Sequence, residues 1–99
     1  MCGIVGYVGN RPVVDILLNG LRRLEYRGYD SSGIAYFRDG RIEIKKSEGK
    51  LQNVEQILSG SSDHRGSTCG IGHTRWATHG KPTTQNAHPH RAGHVVLVH

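Results

Sequence analysis

The hydrophobic positions in the first part of the chain change their spacing at Pro12. Residues 1–9 form a short apolar run broken by glycines, which predicts a buried strand against which other segments pack closely. Beyond Pro12, apolar residues recur at helical spacing, so we expect an amphipathic helix of about 13 residues that ends near Gly28. The apolar face of this helix consists of Val14, Leu17, Leu18, Leu21 and Leu24.

Alternating apolar and polar positions after this helix predict a β-hairpin. Strands over residues 32–37 and 41–45 flank the dipeptide Asp39-Gly40, which is a strong two-residue turn signal. Such a mixture of elements is typical of the α+β class with a largely antiparallel sheet. Further along, the pattern predicts a second helix over 51–58, a polar loop over 60–67, a strand over 69–75, a long loop over 76–94 and a buried strand over 95–98.

The composition narrows the possible environments and partners. The 99 residues carry a formal net charge of +5, but the basic residues are scattered and the aromatic residues show no spacing suited to base stacking. We therefore expect no binding to nucleic acid. No apolar run approaches the length of a membrane span and no signal peptide is evident, so we expect a cytoplasmic protein without a membrane anchor.

Cys2 is the first candidate for covalent chemistry. If Met1 is removed, Cys2 becomes the N-terminal residue and carries both a thiol and a free α-amino group. The amine would then accept the thiol proton, directly or through one water molecule, as in other N-terminal nucleophiles. The alternative is a small apolar residue at the start of a buried strand, and the chemistry of a single cysteine leaves both interpretations open.

Residues 75–80 form the densest polar and aromatic cluster of the chain. The guanidinium of Arg75 can bind a carboxylate through two parallel hydrogen bonds, and Trp76 offers a flat cover. With the hydrogen-bonding groups of Thr78 and His79, the cluster suggests a pocket for a small α-amino acid; the alternative is that a strand ends and a turn follows. A second polar segment, residues 27–33, is either part of a site or an ordinary loop.

The seven histidines do not form a recognisable metal-binding pattern. The sequence contains no Cys-x-x-Cys motif, no His-Glu-x-x-His motif and no acidic residue after Asp63. We therefore expect neither a metal ion nor a cofactor. Neighbouring proline and glycine residues are expected to position these histidines for hydrogen bonding within loops.

Four segments, in this order, resemble the class II glutamine amidotransferases, a family of N-terminal nucleophile enzymes. The segments are residues 1–6 (MCGIVG), 24–31 (LEYRGYDS), 72–80 (GHTRWATHG) and 86–90 (NAHPH). The second and third are most similar to the isomerising glutamine–fructose-6-phosphate aminotransferase branch, whereas the amidophosphoribosyltransferases and asparagine synthetases differ there. The resemblance implies part of an αββα sandwich, in which mainly antiparallel sheets lie between helical layers.

The resemblance also implies a reaction and roles for particular residues. Removal of Met1 would expose Cys2, whose thiol attacks the side-chain amide of L-glutamine while its α-amino group acts as the base. Water then releases glutamate, and the ammonia passes to a second domain that converts D-fructose 6-phosphate into D-glucosamine 6-phosphate. Arg75 matches the arginine that binds the glutamine α-carboxylate, and Arg27 matches an arginine beside the nucleophile. The segment that closes over the substrate is matched by Trp76, Thr78 and His79.

Residues 1–99 correspond, on this resemblance, to the incomplete N-terminal portion of a glutaminase domain, and the full-length protein is expected to be a homodimer. The family continues beyond a pair like Val98-His99 with Asn-Gly, whose groups form the oxyanion hole, and one such donor contributes about 10²- to 10³-fold to the rate. We therefore expect little or no glutaminase activity from the 99-residue chain alone. The alternatives are an amidotransferase of the amidophosphoribosyltransferase type and a non-catalytic binding module on the same scaffold.

Overall fold

A computed structural model describes residues 1–60 and 64–99, so part of the polar loop predicted over 60–67 lies outside the described residues. The first helix, Val13–Leu24, is followed by a 3-10 turn, Glu25–Arg27. Gly28, with a φ of +80°, ends this turn. The predicted helix and its end near Gly28 are therefore confirmed. The elements are β1 (Gly3–Val8), α1 (Val13–Leu24), β2 (Ser31–Arg38), β3 (Arg41–Glu48), α2 (Leu51–Ser59), β4 (Cys69–Arg75), β5 (His90–Ala92) and β6 (Val95–Leu97).

Four of the strands form one sheet in the order β1-β4-β2-β3, and every neighbouring pair is antiparallel. β2 and β3 form the predicted hairpin, in which Asp39 and Gly40 both have positive φ values, as a tight hairpin turn requires. β5 and β6 form a separate two-stranded antiparallel sheet. The α+β class with mainly antiparallel sheets is confirmed.

Both helices pack on one face of the four-stranded sheet, and two glycines of β4 let α1 lie close to it. A Cβ atom on Gly72 would lie 3.1 Å from Cδ1 of Leu21, and one on Gly70 would lie 3.0 Å from Cδ1 of Leu17. Neither helix is long and apolar enough to cross a membrane, as far as the chain is described. The buried core consists of Val13, Val14, Leu17, Leu18, Leu21, Ile34, Tyr36, Leu51, Val54 and Leu58.

The segment 86–99 covers part of the opposite face of the sheet. Lys46 on β3 donates hydrogen bonds from Nζ to the backbone oxygens of Ala87 (2.8 Å) and Pro89 (3.2 Å). Gly33 on β2 makes room for this segment, because a Cβ atom there would lie 2.3 Å from the backbone oxygen of His88. One helical layer, one four-stranded sheet and this smaller β layer are consistent with part of the expected αββα sandwich.

The remainder of this face is an open apolar groove of about 580 Å³, lined by residues of β1 to β4 and by Val96. Phe37 is 52% exposed and Val8 is 82% exposed. The prediction that β1 is buried is therefore wrong for one of its faces, because alternate side chains of the strand point into this open groove.

Two predictions for the last part of the chain also need correction. The strand predicted over 95–98 is formed by Val95–Leu97, but it is not buried: Val95 is 62% exposed and Leu97 is 49% exposed. The physical reason is that β6 pairs with β5 and not with the four-stranded sheet. The long loop predicted over 76–94 contains β5, a strand that is too short and too polar to produce a clear alternating pattern.

Candidate active site

The antiparallel pairing brings three distant parts of the chain to one end of the sheet. Because β4 runs opposite to both β1 and β2, its last residues lie between the first residues of those two strands. Gly3 pairs with Thr74, and Ser31 pairs with Arg75. Cys2, which precedes β1, and Asp30, which precedes β2, are thus brought to the end of β4.

A cleft of about 580 Å³ opens at this end of the sheet. Five of the six predicted site residues line it: Cys2, Arg75, Trp76, Thr78 and His79. The described lining includes one arginine and no carboxylate, so its charge suits a ligand that carries an anionic group. The other lining residues are Met1, Gly80, Asn86, His88, His90 and His99.

The thiol of Cys2 lies against the backbone of Trp76. The Trp76 N–H donates a hydrogen bond to Sγ at 3.4 Å, and Sγ lies 3.8 Å from the Trp76 backbone oxygen. Arg27, the sixth predicted residue, does not line the cleft, but its Nη2 donates a 2.8 Å hydrogen bond to the backbone oxygen of Cys2. These contacts fix both the backbone and the sulfur of the candidate nucleophile.

Arg75 is 8% exposed and organises the loop that follows β4. Its Nη1 donates a hydrogen bond to the backbone oxygen of Lys81 at 3.1 Å, and its Nη2 donates one to the backbone oxygen of His79. Nη1 also forms an ion pair with Oδ1 of Asp30 at 3.5 Å. These bonds hold residues 76–81 in a turn around the guanidinium of Arg75. The segment that was predicted to form the pocket therefore packs on Arg75 itself.

The indole of Trp76 lies directly over Gly28. A Cβ atom on Gly28 would lie 2.6 Å from Cζ3 of Trp76. Thr78 and His79 complete this side of the cleft, with His79 Nδ1 and Thr78 Oγ1 3.5 Å apart. Gly28 therefore both ends the 3-10 turn and leaves space for the half-exposed indole of Trp76, which covers the cleft.

Tyr29 attaches the segment beside Gly28 to the second helix. Its hydroxyl donates a 2.6 Å hydrogen bond to Oε2 of Glu25 and accepts a 2.7 Å hydrogen bond from the N–H of Leu51. Burial and the hydrogen bond to the Glu25 carboxylate raise the pKa of Tyr29 to about 12. The hydroxyl therefore stays protonated near neutral pH and keeps both bonds.

Four histidines cluster beside the cleft, three of them in its lining, and sequence reasoning missed this arrangement. The ring of His88 stacks on that of His73 with centroids 4.3 Å apart, and the rings of His90 and His99 lie 4.5 and 4.6 Å from it. The prediction of hydrogen bonding within loops is wrong for His73, which lies on β4 and whose Nε2 is 2.7 Å from the backbone oxygen of His99, and for Nδ1 of His88, which has no partner among the described atoms. No local sequence signal identifies this cluster, because it forms only when the segment 86–99 packs on the sheet face that carries His73.

Burial disfavours the charged form of three of these histidines, His73, His88 and His90. Burial, followed by the neighbouring histidines and Arg75, lowers the pKa of His88 to about 4. Burial also lowers the pKa values of His73, His90 and Lys46. In the described part of the chain, no three His, Cys, Asp or Glu side chains converge in a way that could hold a metal ion.

Gly28→Ala is expected to displace the indole of Trp76. The added methyl group would overlap the ring, and the backbone of Gly28, with φ +80° and ψ 150°, lies in a region that is essentially restricted to glycine, so an alanine there is strained by about 1–3 kcal/mol. Because Trp76 is the single tryptophan of the chain, a shift in tryptophan fluorescence measures the displacement directly. Gly40→Ala is the matched control, since Gly40 has a φ of +77° with no atom within 4 Å of the added Cβ. Identical spectra for the two variants would contradict the prediction.

Lowering the pH from 6.5 to 4 is expected to destabilise the fold through His88. The folded form stays neutral, because its pKa is about 4, while the unfolded chain binds a proton near the ordinary value of 6.5. The stability is complete above pH 6.5 and is lost as the pH falls towards 4, by up to about 3 kcal/mol. Urea unfolding measures the free energy of unfolding across this pH range. For His88→Phe this free energy should change less with pH than it does for the unmodified protein.

His94→Phe, in the exposed turn between β5 and β6, is the control for this experiment and should keep the dependence of the unmodified protein. An equally steep pH dependence in His88→Phe would show that His88 is not the group responsible.

Comparison with known proteins gives the same result as the sequence motifs. No family model matches the chain. The chain is 54% identical over 99 residues to the isomerizing glutamine–fructose-6-phosphate aminotransferase of Caulobacter vibrioides, and 54% identical over 106 residues to that of Mycolicibacterium smegmatis. A third relative of the same name, from Bradyrhizobium diazoefficiens, is 58% identical over 101 residues.

Each alignment covers 100% of this chain but only 16% or 17% of the relative. The chain thus spans about a sixth of the length of the curated relatives it matches. The resemblance to the glutamine amidotransferases is confirmed: along its whole length, this chain is homologous to one segment of the isomerizing glutamine–fructose-6-phosphate aminotransferases.

Proposed function

We propose that residues 1–99 are the N-terminal portion of a glutaminase domain, in which Cys2 releases ammonia from L-glutamine. The observation that carries this proposal is the position of the Cys2 sulfur, 3.4 Å from the N–H of Trp76, in a cleft that Arg75 also lines. The names of the relatives, which include glutamine, support the same assignment.

In the proposed reaction, removal of Met1 frees the α-amino group of Cys2, which accepts the thiol proton. The sulfur then forms a bond to the carbonyl carbon of the glutamine side chain, and the C–N bond breaks as the proton held by the α-amino group passes to the leaving nitrogen, which departs as ammonia. Water next attacks the thioester, which gives glutamate and restores the thiol. The exposed position of Met1 in the described chain is compatible with its removal.

The other site residues are proposed to bind and orient the substrate. Arg75 would bind the α-carboxylate of glutamine, because an arginine recognises a carboxylate through two parallel N–H groups. Trp76, Thr78 and His79 would close over the bound amino acid. Arg27 would support catalysis by holding the backbone of Cys2, to whose oxygen it donates a 2.8 Å hydrogen bond.

The ammonia is proposed to serve a second reaction outside this segment. In the full-length protein, a further domain would use it to convert D-fructose 6-phosphate into D-glucosamine 6-phosphate, as the names of the relatives suggest. We propose a cytoplasmic location and a homodimeric assembly for that protein.

The 99-residue chain alone is expected to show little or no turnover of glutamine. The groove on the open face of the sheet exposes apolar side chains such as Phe37 and Val8, which supports the proposal that further residues of the domain cover this face. Missing oxyanion donors would each lower the rate by about 10²- to 10³-fold. A glutamate-release assay on the isolated chain, beside the full-length parent, tests this, and comparable turnover by the two would contradict it.

The reactive residue is tested with a glutamine analogue that carries a diazo ketone in place of the side-chain amide. In the full-length parent, this electrophile should modify Cys2, as located by peptide mass spectrometry. Cys2→Ala should abolish the use of glutamine, while synthesis of the amino sugar from added ammonia survives, because the acceptor site would lie in another domain.

Cys69→Ala is the matched control, since Cys69 is the other free cysteine and lies exposed on β4 away from the cleft. It should leave both labelling and turnover unchanged. Labelling at a residue other than Cys2 would refute the mechanism, and no labelling at all would favour the non-catalytic binding module. Loss of both activities in Cys2→Ala would indicate damage to the fold instead.

A further inference from the structure

Asp30 lies at the point where the three site-bearing segments meet, and its backbone is held on both sides. Its N–H donates a 2.8 Å hydrogen bond to the backbone oxygen of Arg75, and its own backbone oxygen accepts one from Gly49, also at 2.8 Å. These two backbone bonds alone fix where the side chain of Asp30 starts relative to the end of β4.

The carboxylate of Asp30 contacts the segment that follows β4 at two places. Oδ2 accepts a 2.5 Å hydrogen bond from the N–H of Ala77, and Oδ1 lies 3.5 Å from Nη1 of Arg75. The hydroxyl of Ser31, which is buried, donates a further 3.0 Å bond to Oδ1. Three donors from different groups therefore fix both oxygens of this carboxylate.

The guanidinium of Arg75 donates only some of its N–H groups to acceptors in the described chain. A guanidinium carries five N–H donors in one plane. Three of them reach acceptors within the described chain: Oδ1 of Asp30 and the backbone oxygens of Lys81 and His79. Two N–H groups remain for a ligand on a side chain that is otherwise immobilised.

We propose that Asp30 is a positioning residue, which holds Arg75 so that its two remaining N–H groups meet the α-carboxylate of L-glutamine. This inference rests on the proposed glutaminase function. Without the anchor, the flexible arginine side chain would have to be ordered by the ligand itself, and that ordering lowers affinity. Asp30 acts through Arg75 and does not itself touch the substrate.

Asp30→Asn in the full-length parent tests the proposal. The variant keeps the shape of the side chain but loses the charge, and its amide turns an N–H donor or an uncharged oxygen towards Arg75. We expect labelling of Cys2 by the diazo ketone analogue, which carries an α-carboxylate, to slow by about 10- to 100-fold, the usual range for a hydrogen bond to a charged group. Iodoacetamide, which has no α-carboxylate, should alkylate Cys2 at an unchanged rate.

Two further variants separate positioning from general damage to the fold. Asp39→Asn, in the turn between β2 and β3, is the charge-matched control and should leave both labelling rates unchanged. In an Arg75→Lys background, Asp30→Asn should cause no additional loss, because its effect passes through Arg75. If Asp30→Asn does not fold, Ser31→Ala removes one donor from the same carboxylate and should slow labelling by the glutamine analogue alone.

The outcomes are distinguishable. An unchanged rate with the glutamine analogue overturns the role of Asp30 and leaves the glutaminase assignment intact. Equal slowing with both reagents also overturns it, because Asp30 would then act on the thiol or on the fold. Failure of the unmodified parent to be labelled at Cys2 overturns the proposed function, and this inference with it.

Discussion

The candidate site depends on the position of β4 between two strands that run in the opposite direction. The end of β4 carries Arg75, and the starts of β1 and β2 carry Cys2 and Asp30 on either side of it. Gly70 helps to maintain this position, since a Cβ atom there would lie 2.6 Å from the backbone oxygen of Ala35 on β2. A change that separated β4 from β2 would therefore move the three site segments apart.

Charge is distributed unevenly around the cleft, and the sequence explains why. No acidic residue follows Asp63, so the segments 64–99 that form most of the cleft can contribute only cations and neutral groups. Asp30 supplies the carboxylate that meets Arg75, and it comes from the other half of the chain. The cleft consequently presents a buried guanidinium with unused donors, which is suited to a small anionic ligand.

Local sequence patterns predicted the helices and the hairpin. Contacts between distant residues determined how these elements form the candidate site. The helical spacing of Leu17 and Leu21 and the Asp39-Gly40 turn were sufficient for α1 and the β2–β3 hairpin, because these features depend on neighbouring residues. Five of the six predicted site residues line one cleft. The contacts of Asp30 with Ala77 and of Lys46 with Ala87 join residues more than forty positions apart, so no local pattern could predict them.

The exposure of the last strand was mispredicted for a related reason. The apolar residues 95–98 have the composition of a buried strand, but burial depends on what packs against a strand and not on its composition alone. In the described residues, β6 pairs with β5; Val95 and Leu97 on one of its faces are exposed, and Val96 on the other face is partly buried beside the groove.

The segment 86–99 links the stability of the sheet to the shape of the cleft. Lys46 and Gly33 hold it against the sheet, while His88 and His90, carried by the same few residues, line the cleft. Protonation of His88 would introduce positive charge near Arg75, and the repulsion that loosens the segment from the sheet would also open the cleft. Acid should therefore impair ligand binding and lower the stability of the fold over the same pH range, between 6.5 and about 4, because His88 both lines the cleft and packs against the sheet.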